Sequence, residues 1–560
     1  MPIKPTRRPV VSRETGRLSD ERAPGAVGPG QAPARRSAAA AAGDRRAAET
    51  GRPAHDERRP VRGGPRPEGR APAAPRGPAG ESRHGPSAGT GRAGPRPDHR
   101  PHAASPVLAA DRPAGLYLSC AAGVEPLLAA EAQRILGPGL LVTESRGGID
   151  IHPAGQSARA EDTRAALIDA AMRLNLESRL AQRVLWRVAS RVYRHEDDIY
   201  VLGRAVNWSD WITPRHTLRV DVTSRRSTLR SLNFAALRIK DAVCDDLRER
   251  FGERPDVDTR HPDLSLVLYM DDLEATLYVD TSGEALFKRG WREDTGEAPL
   301  KETLAAAMLA AAGWQGRPED GALLDPCCGA GTIPIEAAQI ACDIAPGLQR
   351  RFAFERLLPF RAHLGAWQAL KQAARARQHE PRVPIYAGDV SFRMTDFATR
   401  NAERAGVRHA IEFKTADALQ RPVPCERGVL MFNPPYGERI DTKGSVRDAY
   451  QARQAGDRDG PSSPGVRAGR EQFEGDEEAA TFFQRLSSHW KKHYTGWTAW
   501  ILSPDMKLPG AMRLKESRRV VLFNGPIECR LFRFDLVAGS LKPRGPSPDA
   551  SPAEPPSDGA

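Results

Sequence analysis

Apolar residues follow three rhythms along this chain, and each predicts a different element. Between 217 and 280 the pattern alternates. Leu218, Val220 and Val222 are separated by Arg219, Asp221 and Thr223, which predicts a half-buried strand. Two more alternating runs, 264–269 and 275–280, flank the polar pair Asp271-Asp272 and predict a hairpin. Between them the spacing changes to that of a helix over 233–250, with Ala236, Ile239, Val243 and Leu247 on one face. Upstream, a strand at 116–119, a helix at 125–135 and an amphipathic helix at 165–182 precede a mixed segment from Val184 to Trp211. The third rhythm comes later, as short strand segments at 323–325, 385–389, 411–415, 428–432 and 498–502, of which 428–432 is apolar throughout and 411–415 includes Glu412 and Lys414. Runs of this kind suit parallel strands covered on both faces. The segments 520–523 and 530–536 close the series as an antiparallel pair around Asn524-Gly525.

Two of the apolar runs end in sequences that suggest chemistry. After Asp325 come Pro326, Cys327, Cys328, Gly329, Ala330, Gly331 and Thr332, followed by a helical pattern. Strand, glycine-rich turn and helix together bring backbone close to a ligand and present the free N–H groups of a helix start. No Lys-Ser or Lys-Thr follows the glycines, which argues against a phosphate-gripping loop, and Pro334 leaves the dinucleotide fingerprint incomplete. About a hundred residues further on, the run 428–432 ends in Asn433, Pro434, Pro435 and Tyr436. Two prolines fix successive φ angles and remove two donors, so the turn is stiff and rich in acceptors. An Asn oxygen and a proline carbonyl can accept both hydrogens of a planar amine while a Tyr ring stacks on its base. A rigid turn with no chemistry is the plain alternative. The pairing with a glycine turn at the spacing of a doubly wound sheet favours methyl transfer to an NH2 group.

Carrying these motifs, residues 116–537, about three quarters of the chain, resemble the bacterial 23S rRNA guanine-N2 methyltransferases of the RlmL type. The likeness rests on Ala205-Val206-Asn207-Trp208, on Lys288-Arg289-Gly290-Trp291-Arg292, on 298–307, and on Ala345-Pro346-Gly347-Leu348. It rests further on Leu323-Leu324-Asp325-Pro326 and on Asn433-Pro434-Pro435-Tyr436-Gly437-Glu438-Arg439. The resemblance implies an α/β fold. A Rossmann-like class I methyltransferase domain, 285–540, follows an α+β region of ferredoxin-like and THUMP type, 113–284. It also implies S-adenosylmethionine as cofactor and 23S rRNA, or a large-subunit assembly intermediate, as partner. Some relatives carry a second domain that makes 7-methylguanine; with no second glycine turn visible, a single methylation is expected here.

Composition refines this reading in two places. Residues 1–112 hold twenty-two basic and eleven acidic residues, so +11 of the formal charge of +12 lies there and the remainder is about neutral. Rich in Arg, Pro, Ala and Gly, this tail is expected to be disordered, as are 541–560 and an insertion at about 442–476. A basic tail of this kind is expected to hold RNA weakly through phosphates. The seven cysteines are scattered and odd in number, which argues against zinc and a disulfide framework. No metal is expected. Nor does any stretch approach the length of a membrane span or a secretory signal, so a cytoplasmic monomer is the expectation.

Roles follow for individual residues. Asp325, Pro326, Cys327, Gly329, Gly331 and Thr332 are expected to line the cofactor, with Asp389 on the ribose hydroxyls and Asp417 receiving the adenine amino group. Val390-Ser391 stands where related enzymes often carry a second acid, which favours ribose contact at 389. Asn433, Pro434, Pro435 and Tyr436 are the expected catalytic turn. Arg225, Arg226, Arg230, Arg238 and Lys240 form a basic cluster suited to RNA phosphates. Competing functions are methylation of another RNA such as tRNA, of DNA adenine N6 or of protein glutamine N5, and a non-enzymatic RNA-binding assembly factor.

Overall fold

Strands that alternate pair mostly antiparallel, strands apolar on both faces pair parallel, and the chain accordingly builds two different sheets. The computed structural model describes residues 114–154, 159–296, 299–434 and 476–537. The expected tails lie outside them, as does the 442–476 insertion up to Asp476, so none of the three is placed.

The first sheet has eight strands: β1 (Gly115–Ser119), β2 (Leu140–Ser145), β3 (Gly148–Pro153), β4 (Arg183–Val192), β5 (Thr217–Ser224), β6 (Asp256–Val257), β7 (Leu264–Met270) and β8 (Glu274–Asp280). Their order is β2-β3-β1-β4-β8-β7-β5-β6. Helices α1 (Glu125–Leu136), α2 (Ala160–Glu177), α3 (Glu196–Arg204) and α4 (Leu232–Phe251) accompany them. The β7–β8 hairpin turns at the anticipated Asp271, whose carboxylate accepts from the backbone N–H of Leu273 and Glu274 at 2.9 and 2.7 Å. Ser231 caps α4 by accepting from Phe234 N at 3.2 Å, and Gly252, with φ +76°, ends it.

Three expectations need correction. The hairpin β2–β3 was not anticipated. The second helix runs from Ala160 to Glu177 rather than 165–182, because Glu131 of α1 draws the next residues away. Its carboxylate is buried and accepts from Ser178 Oγ at 2.6 Å, Arg179 N at 3.0 Å and Leu180 N at 3.3 Å. On α4 the buried face is Ala235, Ile239, Ala242, Val243 and Leu247, with Ala236 at its margin.

The second sheet contains β9 (Ala322–Asp325), β10 (Ile385–Asp389), β11 (Ile411–Thr415), β12 (Gly428–Phe432), β13 (Thr498–Ser503), β14 (Arg518–Asn524) and β15 (Ile527–Asp535), ordered β11-β10-β9-β12-β13-β15-β14. The first five are parallel, and β15 and β14 complete the sheet antiparallel, as the closing pattern predicts. All of β9 and the last three residues of β12 are buried, which explains their unbroken apolar sequence. Helices α5 (Glu302–Ala312), α6 (Thr332–Ala341), α7 (Leu364–Ala376), α8 (Phe392–Arg404), α9 (Asp476–His493) and α10 (Leu508–Met512) accompany this sheet.

Among the contacts that join the sheets, two stand out. Gly347 donates from its N–H to Leu176 O at the end of α2, 2.9 Å away, and a Cβ there would lie 2.7 Å from Asn175 O. Only glycine permits that approach. The second feature is ionic. Glu336 of α6 is fully buried and accepts from Arg289 Nε at 3.0 Å, while Arg179, in the connection to β4, sits 3.6 Å from its other oxygen. Arg289 also donates to Arg179 O at 2.7 Å and to Leu286 O at 2.9 Å. Removing one partner of a buried pair leaves the other uncompensated, so Glu336→Ala is expected to lower stability by about 3–5 kcal/mol. Thermal unfolding would show it, and a loss below about 1 kcal/mol would mean that the pair does not hold the junction.

Candidate active site

The expected glycine turn starts where β9 ends and is tied to the neighbouring strand by its backbone. Asp325, buried, accepts from Cys327 N at 3.1 Å. Cys328 N donates to Gly388 O at 2.8 Å, and Gly329 N donates to Asp389 Oδ2 at 2.9 Å. The other oxygen of Asp389 accepts from Ser391 N at 3.0 Å. Asp389 therefore holds the turn, whatever else it binds. Gly329 and Gly331 take φ +53° and +89°, in the region that favours glycine, and Gly331 is the N-cap of α6. A Cβ at 331 would lie 2.9 Å from Ala398 Cβ of α8, whereas one at 329 would meet only open space. One glycine serves packing, the other the cleft.

Cys328 is a small buried group within this turn. Burial pushes its thiol well above the usual range, and the nearby Asp325 and Asp389 add to this. It is a neutral, buried side chain at physiological pH.

The sheet reverses direction between β9 and β12. The chain builds outward from β9 through β10 to β11, then returns to add β12 on the other side. Parallel sheets leave a crevice at such a reversal, outside the carboxyl ends of the strands. Asp325 ends β9 and Asn433 follows β12, and both line the same cleft. Cys327, Gly329 and Thr332 join them there, with Arg292, Leu300 and Met394 as further walls. The cleft is narrow, about 40 Å³, so a nucleoside-sized ligand must extend out of it along the strand ends. A wider open groove of about 740 Å³ lies elsewhere, between Gly123, Arg146 and Arg518–Val521 of the β14 edge, and includes none of the expected site residues.

Asn433 and Pro434 are both buried at the end of β12. Pro435 and Tyr436 lie outside the described residues. Pro326 and Gly331 belong to the turn without lining the cleft, and Asp389 and Asp417 stand at neighbouring strand ends. Asp417 accepts from Leu419 N at 2.8 Å and from Gln420 Nε2 at 2.9 Å.

Sequence reasoning assigned no role to the segment before α5. Arg292 reaches the cleft and donates to Glu302 and Thr332, both at 2.7 Å. Asn401 of α8 ties this segment to the glycine turn, donating to Asp294 O at 2.9 Å and to Ala330 O at 3.0 Å. The Lys288–Arg292 run was visible as a motif, but the bonds of Arg292 to Thr332 and of Asn401 to Asp294 join positions 40 and 107 residues apart that no local spacing reveals.

The basic cluster divides. Arg225, Arg226 and Arg230 are exposed in the loop between β5 and α4, and the half-exposed Phe234 follows in the first turn of α4. Arg238 is paired with Asp197 at 2.6 Å and lies over the Tyr200 ring, and Lys240 is paired with Asp241 at 2.6 Å. Among the described residues no group of three or more His, Cys, Asp or Glu is arranged to hold a metal, and no helix is long and apolar enough to cross a membrane.

Comparison with known proteins matches part of each sheet region to a family. Residues 193–280 match the THUMP domain, and residues 289–455 match the RMKL-like, methyltransferase domain. A protein of Shewanella loihica named ribosomal RNA large subunit methyltransferase K/L is 35% identical over 387 residues, covering 68% of this chain and 49% of that one. Its namesake in Syntrophotalea carbinolica is 35% identical over 436 residues, covering 76% and 54%. The chain spans about half the length of the curated relatives it matches. In solved structures, SMU.472 in complex with SAH shares the fold, with a TM-score of 0.61 at 23% identity over 77% of this chain and 99% of that one. A predicted N6-adenine-specific DNA methylase from Listeria monocytogenes gives a TM-score of 0.60 at 25% identity over 75% and 96%.

The two glycines of the turn should separate in a stability assay. Gly331→Ala combines a left-handed backbone with a clash against Ala398 and is expected to cost about 2–4 kcal/mol. Gly329→Ala incurs only the backbone term, about 1–2 kcal/mol. Equal losses in thermal unfolding would contradict the division of roles.

Proposed function

This chain belongs with proteins that join a THUMP domain to an RMKL-like methyltransferase domain, and on that premise we propose that it methylates N2 of a guanine in 23S rRNA using S-adenosylmethionine. The observation that carries the reading is the shared cleft, with Asp325, the glycine turn and Asn433 together at the reversal of strand order. The names of the curated relatives support a large-subunit rRNA substrate. The guanine and its N2 rest on the resemblance to RlmL-type enzymes and on the acceptor chemistry of the Asn-Pro-Pro-Tyr turn.

S-adenosylmethionine, when bound, supplies a methyl group already activated by its sulfonium, so no side chain needs a shifted pKa to create a nucleophile. The residues fit such a ligand. Gly329 leaves its side-chain position empty, Asp325 contributes a negative charge inside the cleft, and Asp389 and Asp417 stand along the strand ends where a nucleoside would extend. The work of the protein lies at the other reactant. A guanine amine is flat because its lone pair is delocalised. Asn433 Oδ1 and the Pro434 carbonyl, as acceptors for its two hydrogens, favour a pyramidal nitrogen with the lone pair directed at the methyl group. Asn433 is buried, which excludes water from those bonds and strengthens them. Tyr436 is assigned to stack on the base after it leaves its helix. The exposed Arg225, Arg226 and Arg230, and the half-exposed Phe234 in the first turn of α4, suit phosphate contact and stacking by the THUMP region.

A second reading, methylation of adenine N6 in DNA, is favoured by the name of the Listeria relative. The THUMP match at 193–280 favours RNA. Incubating the protein with radiolabelled cofactor and rRNA, DNA or protein separates these: label in rRNA supports the proposal, and label only in DNA or protein overturns it. Nucleoside mass spectrometry of the product then identifies the base. Asn433→Ala is expected to lower turnover about a hundredfold with little change in cofactor affinity, because it removes a positioned acceptor. Asp389→Ala is expected to raise the cofactor KM, since it also frees the N–H of Gly329.

A further inference from the structure

The Lys288–Arg292 motif has an unassigned member at the cofactor cleft. We propose that Arg292 receives the carboxylate at the amino-acid end of the cofactor, an assignment that rests on reading the cleft as an S-adenosylmethionine site.

Two nitrogens of the Arg292 guanidinium are held by partners, and the third is left without one among the described residues. Its Nε donates to Glu302 Oε1 at 2.7 Å, and its Nη2 donates to Thr332 Oγ1 at 2.7 Å and to Leu300 O at 3.4 Å. The guanidinium carbon lies 5.0 Å from the centre of the Trp291 ring. The third nitrogen, Nη1, is buried and has no hydrogen-bond partner among the described residues. A buried donor on a charged group that makes no hydrogen bond is costly, and an arriving carboxylate would remove that cost. Arginine suits the task because its rigid fork can hold two anions on different edges, Glu302 on one and a ligand on the other.

Charge and size both select the amino-acid end. The cleft wall carries Asp325 and Arg292, one acid and one base, which matches an ammonium and a carboxylate on the same ligand carbon. The space is about 40 Å³, which admits the small end of the ligand and leaves the nucleoside along the strand ends near Asp389 and Asp417. The segment that carries Arg292 is pinned to the glycine turn through Asn401, which bonds both Asp294 O and Ala330 O. The cation and the turn therefore keep a fixed relation.

The test compares two ligands on the full-length protein by calorimetry: S-adenosylhomocysteine and its analogue lacking only the carboxylate. Arg292→Met is expected to weaken S-adenosylhomocysteine binding about ten- to a hundredfold, the effect of losing a charged hydrogen bond, and to leave the analogue's affinity unchanged. Arg292→Lys, which keeps a cation, should recover part of the loss. Because Arg292→Met strands the buried Glu302, the double variant Arg292→Met/Glu302→Gln repeats the comparison without an unpaired carboxylate, with circular dichroism confirming the fold. Equal losses for both ligands would reduce Arg292 to a structural role and overturn the assignment. So would an unchanged affinity for S-adenosylhomocysteine, including one accompanied by weaker RNA binding, which would place the anion on the substrate. Failure of the unaltered protein to bind S-adenosylhomocysteine would overturn the functional reading as well, whereas the other two outcomes leave that reading standing.

Discussion

A single buried carboxylate fixes the geometry on which the site depends. Glu336 sits in the second turn of α6, the helix whose first turn is the end of the glycine loop. Held by Arg289 from the segment leading into the second sheet, and facing Arg179 from the first, it sets the helix in place relative to both. A charge with no exposure would be prohibitively costly alone. With two guanidiniums nearby it becomes a directional joint, because each arginine also donates to backbone carbonyls that only one arrangement brings within reach. The position of the ligand-facing turn is thus decided some distance behind it.

The same economy of parts marks the acidic residues at the strand ends. Asp325, Asp389 and Asp417 each accept hydrogen bonds from backbone within their own turns or a neighbouring one. They are supports as well as candidate ligand contacts. A site built in this way needs little rearrangement when a ligand arrives, which suits a reaction that depends on placement of the two reactants rather than on proton transfer.

Much of the fold was legible because burial on one face or two leaves different periods in the sequence. In the second sheet β9 and β12 are short apolar runs because both faces are covered, whereas the edge strand β11 is largely exposed and carries Glu412 and Lys414; the limits of all five parallel strands agree with the structure to within a residue or two. The β2–β3 hairpin was not legible: β2 is largely exposed, so Leu141, Thr143 and Glu144 carry little pattern. The end of α2 escaped for a different reason. Helical periodicity continues past Glu177, and only the distant Glu131 captures Ser178, Arg179 and Leu180. At the site, the glycine turn could be read from local sequence because Gly329 and Gly331 take positive φ angles that favour glycine, and Asn433 because it directly follows the apolar run of β12. Arg292 and Asn401 could not, since arginine and asparagine serve everywhere and their partners are set by tertiary packing.

The continuity of the first sheet bears on how the protein could be divided. The THUMP match begins at residue 193, directly after β4, yet β4 is hydrogen-bonded along its length to β8 on one side and to β1 on the other. A chain cut at that boundary would uncover seven residues of β8, nearly all of them buried in the intact protein. An apolar strand edge with unpaired backbone groups is a template for pairing with other chains. The sequence family and the cooperative unit therefore have different borders here, and the one that governs solubility is drawn by the sheet.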